Sequence, residues 1–126
     1  MSTFLITGSN RGIGLELCKQ IIARGDEVIA TCRKASSELK NLGVRIEEDV
    51  DISSEESINN LKQKLLGVEL DCLINNAGIY ELNSIDDFDQ QSIIRQFIVN
   101  ALSPLYLTKS LKSLLKKSSK IAFITS

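Results

Sequence analysis

The sequence contains no histidine and no tryptophan, and only one proline occurs among its 126 residues. Without histidine, this chain cannot supply a Ser-His-Asp or Cys-His catalytic pair, nor an imidazole ligand for zinc. Cysteine is also scarce, and the spacing of Cys18, Cys32 and Cys72 matches no metal-binding or redox motif. We therefore expect three small, buried cysteine side chains and no metal site.

The chain also lacks a dominant charge and any long hydrophobic run. Its formal net charge is −1, so nothing favours binding to nucleic acid or to an acidic membrane surface. No apolar segment approaches the roughly 20 residues that span a bilayer. The N-terminus runs straight into Phe4-Leu5-Ile6 without the pattern of a signal peptide. We expect a cytoplasmic protein with neither a nucleic-acid nor a membrane partner.

Short apolar segments alternate with helical patterns along the whole chain. The pattern predicts strands at 4–7, 28–32, 44–47, 72–75 and 121–125, and helices at 12–24, 38–42, 55–66 and 88–117. This alternation predicts an α/β fold, a doubly wound parallel sheet with strand order 3-2-1-4-5, within one domain at residues 1–126. Ligands of such sheets bind at the carboxyl ends of strands 1 and 4, where the winding reverses.

The last predicted helix, at residues 88–117, carries apolar residues over a broad arc. They are Ile93, Ile94, Phe97, Ile98, Leu102, Leu105, Leu107 and Leu111. One face of a sheet cannot cover such an arc, so we expect a partner helix. Near the predicted helix end, Lys116, Lys117 and Lys120 are interpreted as cations that complement the helix dipole.

A glycine-rich segment, Thr-Gly-Ser-Asn-Arg-Gly-Ile-Gly at residues 7–14, links the first strand to the first helix. In Rossmann folds such a loop holds the pyrophosphate of a dinucleotide at the helix N-terminus. Gly8 permits the tight turn, Gly12 lets the backbone approach phosphate, and Gly14 lets helix and strand pack closely. The predicted cofactor-binding residues here are Gly8, Ser9, Asn10, Arg11, Gly12, Ile13 and Gly14. The alternative is an ordinary tight turn before a helix.

The second strand leads into Cys32-Arg33-Lys34, with no carboxylate. An acidic residue at this place binds the ribose 2′-OH of NAD, whereas a cation accommodates the 2′-phosphate of NADP. Arg33, with Arg11 from the glycine loop, therefore predicts NADP(H) as the cofactor, because arginine binds phosphate with two parallel hydrogen bonds. The alternative for each arginine is a solvated surface charge.

Asn75-Asn76-Ala77-Gly78 follows the fourth strand, and its small residues would let a ligand approach the backbone. Together with the glycine loop, this segment makes the chain resemble the short-chain dehydrogenase/reductase family over essentially its whole length. Residues 7–14 are similar to the family motif Thr-Gly-x-x-x-Gly-x-Gly, and residues 75–78 to the motif Asn-Asn-Ala-Gly. Within the family, residues 9–17 and 30–33 are similar to the carbonyl reductase, sniffer and C-factor group.

The resemblance implies further residues of the cofactor site. Asp51 looks like the family aspartate that hydrogen-bonds the adenine amino group, with Ile52 beside it. Asp49 is a rival for that role, and a loop or capping aspartate is the plain alternative. Asn76, Ala77 and Gly78 are implied to line the same site.

The resemblance also implies two catalytic residues. Ser126 looks like the serine that polarises the substrate carbonyl, and Asn100 looks like the active-site asparagine. Asn100 has a physical argument as well, because Pro104 lacks the N–H that would bond its carbonyl in a helix. A carbonyl left free at such a kink can hold a water, which in the family relays protons to the catalytic lysine. A kink that merely curves the helix is the alternative.

The family's general acid/base tyrosine, and the lysine four residues after it, would follow Ser126, where this sequence stops. Tyr106 and Lys109 are three residues apart and precede the serine. We therefore expect the amino-terminal half of a longer enzyme, truncated after strand 5, or else a naturally short and inactive relative.

The implied function is NADP(H)-dependent interconversion of a small-molecule carbonyl and alcohol by hydride transfer. The alternative is a catalytically inactive dinucleotide-binding module that acts as a redox sensor or signalling partner. In the family, the long helix at 88–117 forms a common interface, so a homodimer or homotetramer is expected.

Overall fold

A helical segment that packs on the sheet connects each strand to the next, and the strands consequently run parallel. The computed structural model describes residues 1–125. Its strands are β1 (Thr3–Ile6), β2 (Glu27–Thr31), β3 (Arg45–Glu47), β4 (Leu70–Asn75) and β5 (Leu115–Phe123), and its α-helices are α1 (Gly12–Ala23), α2 (Ser37–Asn41), α3 (Glu55–Lys64), α4 (Gln90–Phe97) and α5 (Ser103–Ser110). The sheet order is β3-β2-β1-β4-β5 with every pairing parallel, which confirms the predicted doubly wound fold.

Apolar side chains cover both faces of the sheet. Leu5 pairs in register with Ile29 and Leu73, and these three belong to the core beneath α3 and α5. Their neighbours along the strands, such as Ile6 and Ile74, belong to a second core beneath α1 and α2. Because successive strand residues point to opposite faces, strands with continuous apolar runs require helices on both sides.

The helix predicted over residues 88–117 is wrong in its interior and at both ends. Helix α4 begins at Gln90, the backbone widens into a π-helical segment at Ile98–Leu102, and α5 ends at Ser110. A 3₁₀ turn (Lys112–Leu114) then leads into β5, which begins at Leu115 rather than at residue 121. The other predicted elements differ from the structure by one or two residues at their ends.

Tertiary contacts with β4 explain why the helical pattern stops early. The Ser119 hydroxyl donates to the Leu70 carbonyl at 2.6 Å, and Lys116 Nζ donates to Asp71 at 2.6 Å. These bonds hold the chain along the start of β4, where helix propensity would have continued the helix. Lys116, Lys117 and Lys120 therefore lie in β5, and their interpretation as helix-end cations was wrong.

All three cysteines are buried and form no disulfide within the described residues, which confirms the expectation of small, buried side chains. Burial raises the pKa of each thiol, so they are protonated, inert side chains near neutral pH.

Within residues 1–125 the structure contains no cluster of three or more thiol or carboxylate groups suited to a metal ion. Nor does any helix in that range have the length and apolarity needed to cross a membrane.

Candidate functional site

A cleft of about 590 Å³ opens where β1, β2, β3 and β4 end. Its lining comes from the four segments that follow these strands, the place where the sequence predicts the ligand site. The predicted residues that line it are Gly8, Asn10, Arg11, Gly12, Ile13, Arg33, Asp51, Ile52, Asn76, Ala77 and Gly78. Eleven residues from four separate segments are thus brought together at one edge of the sheet.

The glycine loop is shaped by close packing and by positive φ angles. Gly8 has φ +62°, and a Cβ there would lie 2.8 Å from the Ala77 Cα. A Cβ on Gly14 would lie 2.1 Å from the Gly8 carbonyl oxygen and 2.6 Å from Asn76 Nδ2. Gly14 therefore packs closely against Gly8 and Asn76, which follow the ends of β1 and β4. Gly12, at φ +57°, has open space where a Cβ would be.

Thr7 joins the glycine loop to the segment after β4. Its hydroxyl oxygen accepts hydrogen bonds from the N–H groups of Asn76 at 3.0 Å and Ala77 at 2.9 Å. The Asn76 side chain in turn donates to the carbonyls of Thr7 and Gly8. The two motifs recognised in the sequence are thus one hydrogen-bonded unit.

The N-terminus of α1 differs from those of the next helices. The side chains of Ser36, Ser54 and Asp89 accept hydrogen bonds from the first turns of α2, α3 and α4. At α1, Arg11 occupies the cap position without a capping side-chain bond, and the first turn has no acidic residue. The N-terminal end of this twelve-residue helix, with its positive dipole, consequently lies at the cleft without a capping side chain or an acidic residue in its own first turn.

Two residues predicted to bind cofactor lie behind the cleft wall. Ser9 is fully buried, with its hydroxyl donating to the Ile6 carbonyl at 2.6 Å and its N–H donating to the Thr31 carbonyl at 3.2 Å. Gly14 is buried against Gly8 and Asn76. Since both donors of Ser9 have partners in the protein, its role and that of Gly14 is to shape the loop, and neither lines the cleft.

Three cations stand at the end of the cleft formed after β1 and β2. Arg11, Arg33 and Lys34 are exposed and line it. Within the described part of the chain, none of them forms an ion pair, whereas Arg24, Arg45 and Arg95 each pair with a carboxylate. Their charges are therefore available to an anionic ligand.

Asp51, and not its rival Asp49, lines the cleft. Its Oδ1 accepts from the Ser53 hydroxyl at 2.6 Å and from the Ser53 N–H at 2.9 Å. The Ser53 hydroxyl bond is the main cause that lowers the pKa of Asp51. Asp51 thus closes a turn and at the same time presents an ionised carboxylate edge to the cleft.

Asn100 lies in the π-helical segment beside the other wall of the cleft. Its amide pairs twice with the backbone of Ile79, which donates to Oδ1 at 2.8 Å and accepts from Nδ2 at 2.8 Å. A Cβ on Gly78 would lie 3.1 Å from Asn100 Oδ1, so the glycine leaves room for this pairing. Pro104 begins the next turn and offers no N–H to the Asn100 carbonyl. The helix is in π form over Ile98–Leu102, whereas the kink and the free Asn100 carbonyl expected from Pro104 stay predictions.

Ser126, predicted as the catalytic serine, lies outside the described residues. Tyr106 is directed to another part of the molecule, where its hydroxyl donates to Glu55 at 2.8 Å and joins α5 to α3. That contact raises the pKa of Tyr106, mainly through the hydrogen bond to Glu55.

A larger cleft of about 990 Å³ lies at the opposite ends of the strands. Its carboxylates are engaged within the protein, since Asp26 pairs with Arg24 at 2.7 Å and Asp71 with Lys116 at 2.6 Å. The smaller cleft is the better site despite its size, because its cations and helix N-terminus have no such partners in residues 1–125.

The sequence missed several residues that line the candidate site. Thr31, Cys32, Lys34, Val50, Ile79 and Val99 contribute to its walls. Each lies within two residues of a predicted site residue along the chain, so proximity to those residues could have identified them. Val99 directly precedes Asn100 and lies in the π-helical segment.

Comparison with known proteins agrees with this geometry. The model of the family described as short chain dehydrogenase matches residues 2–126. The 1-hydroxy-2-glutathionyl-2-methyl-3-butene dehydrogenase of Rhodococcus sp. (strain AD45) is 34% identical over 100% of this chain and 57% of its own length. Human retinol dehydrogenase 14 is 32% identical over 98% of this chain and 44% of its own length.

Solved structures show the same correspondence. A carbonyl reductase from Pseudomonas aeruginosa PAO1 in complex with NADP superposes with TM-score 0.93 at 29% identity, over 100% of this chain and 61% of that one. A short-chain dehydrogenase/reductase from Burkholderia multivorans with bound NADP gives 0.92 at 29% identity, over 99% of this chain and 58% of that one. The chain spans about half to three-fifths of the lengths of these relatives. Its sequence, its sheet order and the cleft at the strand ends show that this chain belongs to the short-chain dehydrogenase family.

Proposed function

We propose that residues 1–126 form the dinucleotide-binding domain of an NADP(H)-dependent oxidoreductase that interconverts a small-molecule carbonyl and an alcohol. The observation that carries the proposal is the set of cations, Arg11 and Arg33 with Lys34, that form no ion pair within residues 1–125 and lie beside the N-terminus of α1, which has no side-chain cap. The two NADP-bound structural relatives support the same cofactor. No comparison favours the alternative of a catalytically inactive sensor module.

The residues present fit such a cofactor. The glycine loop has positive φ at Gly8 and Gly12 and open space at Gly12, so its backbone can lie close to a pyrophosphate. Arg11 and Arg33 would hold the 2′-phosphate, and Asp51 would accept a hydrogen bond from the adenine amino group. NADPH, when bound, supplies the hydride.

The chain's own part in the reaction is to bind and orient. We propose that Ser126 polarises the substrate carbonyl and that the Asn100 carbonyl, without a donor from Pro104, orders a water for proton transfer. Neither Tyr80 nor Tyr106 has a lysine four residues later, so the acid and base of this reaction require residues beyond these 126.

We also propose that the exposed apolar side chains of α4, α5 and the segment between them pack against a second copy. Phe97, Leu102 and Leu105 are 62%, 50% and 63% exposed. A two-fold pairing would bring the same apolar surface of both copies together. Sedimentation velocity at several concentrations measures whether such a dimer forms.

Titration calorimetry with NADPH and NADH tests the cofactor proposal. Arg33→Ala should weaken NADPH binding about tenfold or more, because a charge-assisted hydrogen bond is lost, and should leave NADH binding almost unchanged. Lys40→Ala removes an exposed cation from neighbouring α2, outside the cleft, and is the matched control. Equal loss of both nucleotides in Arg33→Ala, or no NADPH preference in the unmodified chain, would contradict the proposal.

A further inference from the structure

A pair of residues joins the two loops that carry the cleft's cations. The N–H of Ser36 donates to Asn10 Oδ1, and the Ser36 hydroxyl donates to the Asn10 carbonyl oxygen at 2.8 Å. Asn10 belongs to the glycine loop, whereas Ser36 ends the loop between β2 and α2. Ser36 is only partly exposed and does not line the cleft, so its effect on a ligand must act through other residues. We call this contact the Asn10–Ser36 pair.

The loop that bears Arg33 and Lys34 is held at three of its four residues. The Arg33 carbonyl accepts from the Asp49 N–H at 2.9 Å, and the Ala35 N–H donates to the Glu48 carboxylate at 2.8 Å. The Asn10–Ser36 pair provides the third attachment. The backbone from 33 to 36 is therefore fixed from the β3 side by residues 48 and 49 and from the glycine loop by Asn10.

The pair also fixes the two cation-bearing loops relative to each other. Arg11 directly follows Asn10, and Arg33 lies three residues before Ser36. Ordering a long cationic side chain around a ligand costs conformational entropy. That entropy cost is smaller when the backbone that carries the side chain is already fixed. Bidentate recognition of a phosphate by arginine also depends on the direction of the planar guanidinium. The separation of the two loops thus determines whether both guanidinium groups can reach one phosphate.

We propose that Asn10 and Ser36 are positioning residues that set Arg11, Arg33 and Lys34 around the 2′-phosphate, and that they determine the preference for NADPH over NADH. The proposal rests on the proposed cofactor. It assigns selectivity to a residue, Ser36, that carries no charge and lies outside the cleft lining.

Two variants each remove one hydrogen bond of the pair, with different side effects. Ser36→Ala also removes the cap of α2, since the Ser36 hydroxyl accepts from the Leu39 N–H at 3.2 Å. Asn10→Ala leaves that cap intact but alters the cleft wall. Ser36→Ala removes the bond from the Ser36 hydroxyl to the Asn10 backbone carbonyl, and Asn10→Ala removes the bond from the Ser36 N–H to Asn10 Oδ1. The double variant therefore lacks both bonds. Ser36→Thr keeps the hydroxyl, and Ser37→Ala removes the neighbouring exposed serine as a matched control.

The measurement is the ratio of the NADH to the NADPH dissociation constant by titration calorimetry, with circular dichroism to show that each variant is folded. We expect each single alanine variant to lower this ratio about three- to tenfold, mainly through weaker NADPH binding, as the loss of one or two hydrogen bonds implies. The double variant, which lacks both bonds, should lower it further than either single variant. Ser36→Thr and Ser37→Ala should retain the original ratio.

Several results would overturn the positioning role. Equal weakening of both nucleotides would mean that the pair serves structure alone, and a double variant that lowers the ratio no further than one single variant would refute the role of the other hydrogen bond. An unchanged ratio in folded single variants, beside a strong NADPH preference of the unmodified chain, would refute the positioning role and leave the proposed cofactor standing. An unmodified chain without NADPH preference would refute both.

Discussion

At the scale of single residues, small differences in packing decide what each glycine of the loop does. Gly12 and Gly14 both belong to the motif, yet only Gly14 is enclosed by other atoms. From the spacing of the motif, Gly12 was predicted to let the backbone approach phosphate and Gly14 to permit close packing. The spacing did not identify the partner of Gly14, because the Gly8 carbonyl and the Asn76 amide reach it only after β1 and β4 pair.

We expect Gly14→Ala to lower the free energy of unfolding by about 1–3 kcal/mol or more, because overpacking forces the backbone to shift. The new Cβ would lie 2.1 Å from the Gly8 carbonyl oxygen. Gly12→Ala is the comparison, with φ +57° but no neighbour within 4 Å, and should cost about 1–2 kcal/mol from strain at positive φ alone. Urea denaturation measures both. A Gly14 variant no less stable than the Gly12 variant would show that the loop relaxes easily.

At the scale of elements, the helix after β4 is divided into α4, a π-helical segment and α5. The proline in the sequence predicted an irregularity near Asn100, since it removes a donor to that carbonyl. The pairing of the Asn100 side chain with the Ile79 backbone could not be predicted, because residues 79 and 100 are joined only by the folded loop. That loop is itself held to α4, where Arg95 pairs with Glu81 and Gln96 bonds the Glu81 backbone.

We expect Asn100→Ala to speed hydrogen exchange at the Ile79 N–H about fivefold or more, because a hydrogen bond worth about 1 kcal/mol is lost. Asn100→Asp should keep the slow exchange, since its carboxylate oxygen can still accept from Ile79. Exchange at Leu73, within β4, serves as the internal reference. Unchanged exchange at Ile79 in the alanine variant would show that other contacts hold the cleft wall.

At the scale of the whole molecule, the absence of histidine determines how stability depends on pH. The folded structure lowers the pKa of Asp26 mainly through the Ser2 N–H, of Asp51 through the Ser53 hydroxyl, of Asp71 through Lys116 and of Glu81 through Arg95. Each such carboxylate stabilises the fold above its unfolded-state pKa of about 4 and loses that contribution as the pH falls through its lower folded-state value. The buried thiols affect stability on the alkaline side, because burial raises their pKa in the folded state. Their contribution to stability is complete below the unfolded-state pKa of about 8.5 and is lost as the pH rises above it.

We therefore expect a nearly constant free energy of unfolding between about pH 5 and pH 7, with a decline below about pH 4 and another above about pH 8.5. Denaturant titrations across this range at constant ionic strength provide the measurement. Asp71→Asn should reduce the acid-side slope, and Asp86→Asn, at a carboxylate with no ion pair within residues 1–125, is the matched control. A marked change in stability between pH 5 and pH 7 would contradict the expectation.

The sequence by itself determined the class of fold, the sheet order and the edge of the sheet that holds the site. Short apolar runs, period-3.6 apolar patterns and glycine positions are local features of the sequence, and the right-handed crossover rule follows from general chirality. All of them can therefore be applied to the sequence alone. The tertiary structure alone decided where α5 ends and β5 begins, and that both hydrogen-bond donors of Ser9 have partners within the protein. It also decided that Asp51, rather than Asp49, lines the cleft, and that Ser36 reaches Asn10. These features depend on which distant atoms meet, and the strength of a hydrogen bond or a clash is set by separations of tenths of an ångström that no linear pattern encodes.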